Sequence, residues 1–211
     1  MTTPGAGPDI YSEAEGSDDT LSNLGPLRAL AGVFEGRRGT DVHPVTGGDE
    51  AESYLERYEL QPIDRQTNGP QLLYGLRYHQ HITKPGERET FHDQVGYWLW
   101  EPATETVSVL LAIPRAEVAM AAGHVSADAT SFTVTAGLGS ATNGIASGPF
   151  LDEHFRTVSW TVTVTVLDAD TWRYQQDTVL EVAGREGLVH HTDESTLVRI
   201  APPSPNPLAA P

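Results

Sequence analysis

The chain has 211 residues, a length suited to one domain with tails, and 29 acids against 13 bases leave a formal charge of −16. A polyanion releases no counterions from nucleic acid and is repelled by anionic lipid, so nucleic-acid and membrane-surface binding are set aside. With no cysteine, disulfides, thiolate catalysis, iron–sulfur clusters and covalent c-type haem are excluded, and no run approaches the roughly 18 apolar residues of a spanning helix.

From Met1 to Leu27 there is no Lys or Arg, while Asp9, Glu13, Glu15, Asp18 and Asp19 are acidic. Small polar residues cannot bury enough apolar surface to offset chain entropy, which predicts a disordered acidic tail over 1–20. The opening residues lack the basic and apolar regions of a signal peptide, so the expected compartment is the cytoplasm. Leu24–Ala31 is the one helical segment expected. After it, alternating and β-branched residues predict strands at Val33–Arg37, Tyr54–Gln61, Leu72–Ile82, Glu89–Trp100, Thr106–Ile113 and Glu117–Gly123. Asp128–Gly139 continues the series, with Phe132, Val134 and Ala136 on one face. In Val158–Leu167, Val162, Val164 and Val166 oppose Thr161, Thr163 and Thr165. Thr171–Val182 and Asp193–Ile200 complete it.

Turn residues such as Asn68-Gly69-Pro70, Pro85-Gly86 and Asp168-Ala169-Asp170 separate these runs. The last eleven residues carry five prolines and predict a disordered tail over 201–211. Residues 21–200 are left as a β domain. Ten strands with almost no helix imply a sandwich or an up-and-down barrel, and only the barrel leaves room for one small ligand.

Several chemistries fall away. Lys84, the single lysine, lies in a Pro-Gly turn, which argues against a Schiff base. There is no G-x-S-x-G elbow or Walker loop, and Gly137-Leu138-Gly139 reads as a loop. Histidine remains. His79 and His81 share a sheet face at a spacing that suits a zinc pair, against the plainer reading of hydrogen-bonded strand residues. His92, Gln94, Gly96 and Trp98 share another face, where a mid-strand glycine signals space or a bend. His92 then lines a cavity or makes a buried hydrogen bond to a carboxylate. His190 and His191 point to opposite faces, so only one enters an interior, where a neutral imidazole suits haem iron. The plainer reading is a surface pair at a turn.

Gly32-Val33-Phe34-Glu35-Gly36 is similar to the Gly-x-Trp-x-Gly-x-Gly opening of the nitrobindin family. His92-Asp93-Gln94-Val95-Gly96-Tyr97 resembles its His-x-Glu-x-Gly-Tyr strand, and His191-Thr192-Asp193 through Arg199 resembles its closing strand. Phe34 and Gln94 depart from that pattern, as does Arg37-Arg38-Gly39. The chain looks closer to a bacterial side branch of the family. The resemblance implies a ten-stranded antiparallel barrel, shaped like fatty-acid-binding proteins, that holds haem b. It also implies nitric oxide binding at ferrous haem, or isomerisation of peroxynitrite to nitrate at ferric haem. Carried over, His191 is the axial iron ligand and His92 faces the same cavity on the distal side. A match run backwards from Leu197 without a gap puts Thr192 at the ligand position instead. Two other readings stand beside this one. In the first, the barrel is a haem-free carrier of a small lipophilic ligand. In the second, Trp98, Trp100 and Phe91 fill the interior and the domain serves protein contacts.

Overall fold

The computed structural model describes residues 9–204, and the outer parts of both expected tails lie outside them. Helix α1 (Thr20–Asn23) and a 3₁₀ helix (Gly25–Leu30) lead into β1 (Gly32–Val45), β2 (Gly48–Pro62), β3 (Gln66–Asn68), β4 (Gln71–Thr83), β5 (Thr90–Glu101) and β6 (Thr106–Ile113). Next come β7 (Glu117–His124), β8 (Ser131–Leu138), β9 (Gly144–Ser147) and α2 (Pro149–His154). The last three strands are β10 (Phe155–Val166), β11 (Thr171–Val182) and β12 (Leu188–Ala201).

Except for the β8–β9 pair, neighbouring strands pair antiparallel from β4 round to β12, then to β1 and β2, and pairing of β2 with β4 closes the ring. It is an up-and-down barrel. Between β7 and β8 the expected ten-strand count fails. Those strands pair directly at one point, Ala122 with Thr135, and short β9 wedges in, antiparallel to β7 and parallel to β8. The ring therefore has eleven members, while β3 is a hairpin arm paired with β4 alone.

Alternation explains the walls. Val162, Val164, Phe132, Val134 and Ala136 face the core. Outside, Thr133 bonds Thr163 and Thr135 bonds Thr161 across the β8–β10 seam. One end of the barrel is plugged: Leu24, Leu27 and Leu30 of the N-terminal segment are fully buried, in one core cluster with Trp100, Leu60, Leu76 and Val107. Gly25 is needed there. Its φ is +54°, and a Cβ would fall 2.6 Å from the Trp100 ring. Arg199 of β12 fastens the plug, donating to the Ala29 and Ala31 carbonyls and lying over the Phe34 ring.

The segment expected as a tail over 1–20 is held to this end from Ala14 onward. Ala14 N–H donates to the Gly69 carbonyl, Ser17 N–H to the Tyr74 hydroxyl, and Thr20 Oγ1 to the Ile63 carbonyl. Backbone groups find partners on the barrel, which composition alone does not reveal. Among the described residues no helix is long and apolar enough to cross a membrane.

Candidate functional site

The other end is open. A cavity of about 1260 Å³ enters there, lined from every strand of the ring except β8, and by Phe150 and Leu151 of α2. That volume is above the usual ~300–1,000 Å³ of small-molecule sites. Trp98 and Trp100 lie buried towards the plug and Phe91 stands at the mouth, so these rings do not fill the interior.

His191, from β12, is on the cavity wall with Asp41 and His43 of β1. Asp41 is buried, and its two oxygens divide the work: Oδ1 accepts from His191 Nε2 at 2.6 Å, and Oδ2 from His43 Nδ1 at 2.6 Å. Burial alone would raise the Asp41 pKa, but the hydrogen bonds and charges of His191 and His43 outweigh it and hold the carboxyl below its ordinary range. Burial likewise opposes the His191 imidazolium, and the Asp41 carboxylate overcomes it, so His191 is shifted upward. The Asp41 bond occupies Nε2, and among the described residues Nδ1 makes no hydrogen bond. An imidazole whose second N–H is held by a carboxylate is a well-oriented metal ligand.

His92 also lines the cavity, as do Gln94 and Asp193. Desolvation lowers the His92 pKa and keeps it neutral; its Nε2 lies 3.3 Å from Gln94 Oε1. Gln94 in turn donates to the Tyr78 hydroxyl at 2.7 Å. The buried hydrogen bond of His92 is therefore to an amide, not a carboxylate. Asp193 accepts from Gln176 at 2.7 Å, and desolvation pushes its carboxyl up to about 7. Below the floor, Glu56 is sealed in the core and accepts from Gln80 at 2.6 Å and from the Tyr174 hydroxyl at 3.2 Å. Burial pushes it up to about 7 as well.

The remaining histidines lie elsewhere. His190 turns outward to Asp177, 2.9 Å away, and Thr192 follows it on the outer face by alternation. The gapless match to Thr192 thus lands on a side chain that does not line the cavity. His79 and His81 stack on the outside, bonded to Asp93 and Thr90 respectively. Among the described residues no group of three or more His, Cys, Asp or Glu is arranged to hold a bare metal ion. This leaves the zinc pair without its third ligand. Sequence reasoning missed Asp41, His43, Glu56 and Arg115. A signal existed for Glu56, which alternates in phase with Tyr54, Tyr58 and Leu60.

A porphyrin needs a broad apolar slot and an oriented imidazole. Ile82, Leu111, Ile113, Ile145 and Leu180 supply the first, and His191 held by Asp41 supplies the second. The donor set fits haem. Residues 23–199 match the family model described as a THAP4-like heme-binding β-barrel domain. The crystal structure of Rv2717c from M. tuberculosis is similar in fold, with a TM-score of 0.60 and 18% identity, over 86% of this chain and 97% of that one. No curated protein matches the chain.

Proposed function

The chain belongs to the THAP4-like heme-binding β-barrel family, and on that premise we propose that it binds haem b through His191. The observation that carries this reading is the His191 imidazole on the wall of an open apolar cavity, with one nitrogen held by buried Asp41 and the other free. When bound, haem supplies the iron at which nitric oxide is held or peroxynitrite is isomerised to nitrate, the activity we propose. The chain's own residues orient and exclude. Asp41 fixes the tautomer and plane of His191. His92, neutral and tied to Gln94, would offer a polar atom to a group held in the same cavity without adding charge. The apolar wall keeps bulk water from the ligand's face.

Haemin titration followed by visible absorption tests the proposal. The parent is expected to develop a Soret band that His191→Ala abolishes with an unchanged far-UV spectrum. His190→Ala should leave it nearly intact, because its side chain is outside. Equal loss in both variants overturns the assignment. A second reading, a haem-free carrier of a small lipophilic ligand, is favoured by the apolar lining. It predicts no Soret shift on adding haemin, together with uptake of Nile red.

A further inference from the structure

Four acidic residues border the cavity, and each carboxylate has a partner, that of Asp93 on the outer face. Asp41 is held by His43 and His191, Asp93 by His79, Glu117 by Ser147 and Thr157, and Asp193 by Gln176. One Lys or Arg lines it, Arg115, and among the described residues Arg115 makes no ion pair or hydrogen bond. It projects from the β6–β7 turn at the mouth. That turn is clipped in place, since Gly148 N–H, just before α2, donates to the Ala116 carbonyl at 2.7 Å. In a chain of net charge −16, one cation left unneutralised at the mouth of an apolar cavity needs an account.

We infer that Arg115 anchors the carboxylate of the cavity's ligand, an amphiphile with an apolar body and an acidic end. The body enters, the carboxylate stays at the wet mouth, and the guanidinium meets it with its fork of N–H donors. The inference rests on the proposed ligand-binding reading. A haem propionate or the head of a fatty acid both carry this chemistry, and the experiment separates them.

The full chain is titrated with haemin and with haemin dimethyl ester, which lacks the acids, as parent, Arg115→Ala and Arg77→Ala. Arg77 is exposed on β4 outside the cavity and controls for the loss of one positive charge. The parent and Arg77→Ala are expected to prefer haemin over its ester by about fivefold, the scale of a partly exposed charge-assisted pair. Arg115→Ala should bring that ratio to about one by weakening haemin alone. An unchanged ratio overturns the anchor and leaves haem binding intact. If the parent takes up no haemin, the haem reading fails, and laurate and its methyl ester displacing Nile red decide the anchor. Weakening of laurate alone by Arg115→Ala upholds it. Equal affinities in parent and variant overturn it, as does a parent that binds neither class.

Discussion

Two buried carboxylates on neighbouring walls take opposite states because their partners differ. Asp41 meets two imidazoles that can carry positive charge, so the anion is stabilised. Glu56 meets a glutamine amide and a tyrosine hydroxyl, which cannot outweigh burial, and its pKa rises from 4.5 to about 7. For Glu56 the folded state holds a proton that the unfolded chain has released. The resulting stabilisation is complete below pH 4.5 and is lost as pH climbs through 7, at a cost of roughly 3 kcal/mol above it. Glu56→Gln removes that ionisation. Urea unfolding should show the variant gaining on the parent between pH 5 and pH 8, and a pH-independent gap would contradict the account. At Asp41 the expectation concerns His191, the proposed iron ligand. Asp41→Asn takes the charged acceptor from His191 Nε2, so haem should pass to apomyoglobin about 10- to 100-fold more readily, the usual scale for such partners. Retention equal to the parent's would show that Asp41 does not orient His191.

Gly96 shows how one residue sets the approach of two strands. A Cβ at that position in β5 would fall 1.8 Å from the Leu110 carbonyl oxygen of β6, a backbone atom that cannot step aside. At Gly137, in β8, a Cβ meets nothing within 4 Å. Gly96→Ala should therefore cost about 1–3 kcal/mol or more in urea unfolding, as overpacking does, and Gly137→Ala far less. Equal losses would refute the close-approach reading. Alternation made most of the barrel legible: Thr106–Ile113 and Thr171–Val182 match β6 and β11 end for end. It also placed His92 with Gln94 and Trp98, and set His191 against His190. Legibility stopped where the phase of alternation changes. In β1, Phe34 and Gly36 face in. A bulge at Arg37-Arg38 then shifts the register, so that Gly39 and Asp41 face in. The strand expected over Val33–Arg37 stops at this bulge, and Asp41 and His43 lie beyond it. The charged start of β2, Gly48 to Ser53, carries no apolar pattern and is held by pairing with β1. β3 and β9 are too short to leave a period.

The whole molecule is a barrel with unlike ends. At the plug, side chains with no exposure pack to a solid core, and the Arg199 hydrogen bonds tie the end of the 3₁₀ helix to the last strand. At the mouth the strand ends surround the cavity instead of a solid core. Two hairpins there are joined by Arg185, which donates to the Val45 and Gly48 carbonyls. Apolar burial is what resists local opening, so the two ends should differ in hydrogen exchange. A ligand that binds only the folded chain adds about RT ln(1 + [L]/Kd), roughly 2.7 kcal/mol at a hundred times Kd. That energy is delivered where its contacts are. Haemin should therefore raise the Tm of the parent and of His190→Ala, and leave His191→Ala unmoved. It should slow amide exchange in the mouth turns 45–48, 83–90 and 182–188 while the plug, residues 20–31, exchanges as before. Protection spread evenly over both ends would mean that the ligand acts on global unfolding alone, and that the mouth has no separate opening motion. Protection confined to the plug would place the ligand at the wrong end of the barrel and remove the cavity as its site.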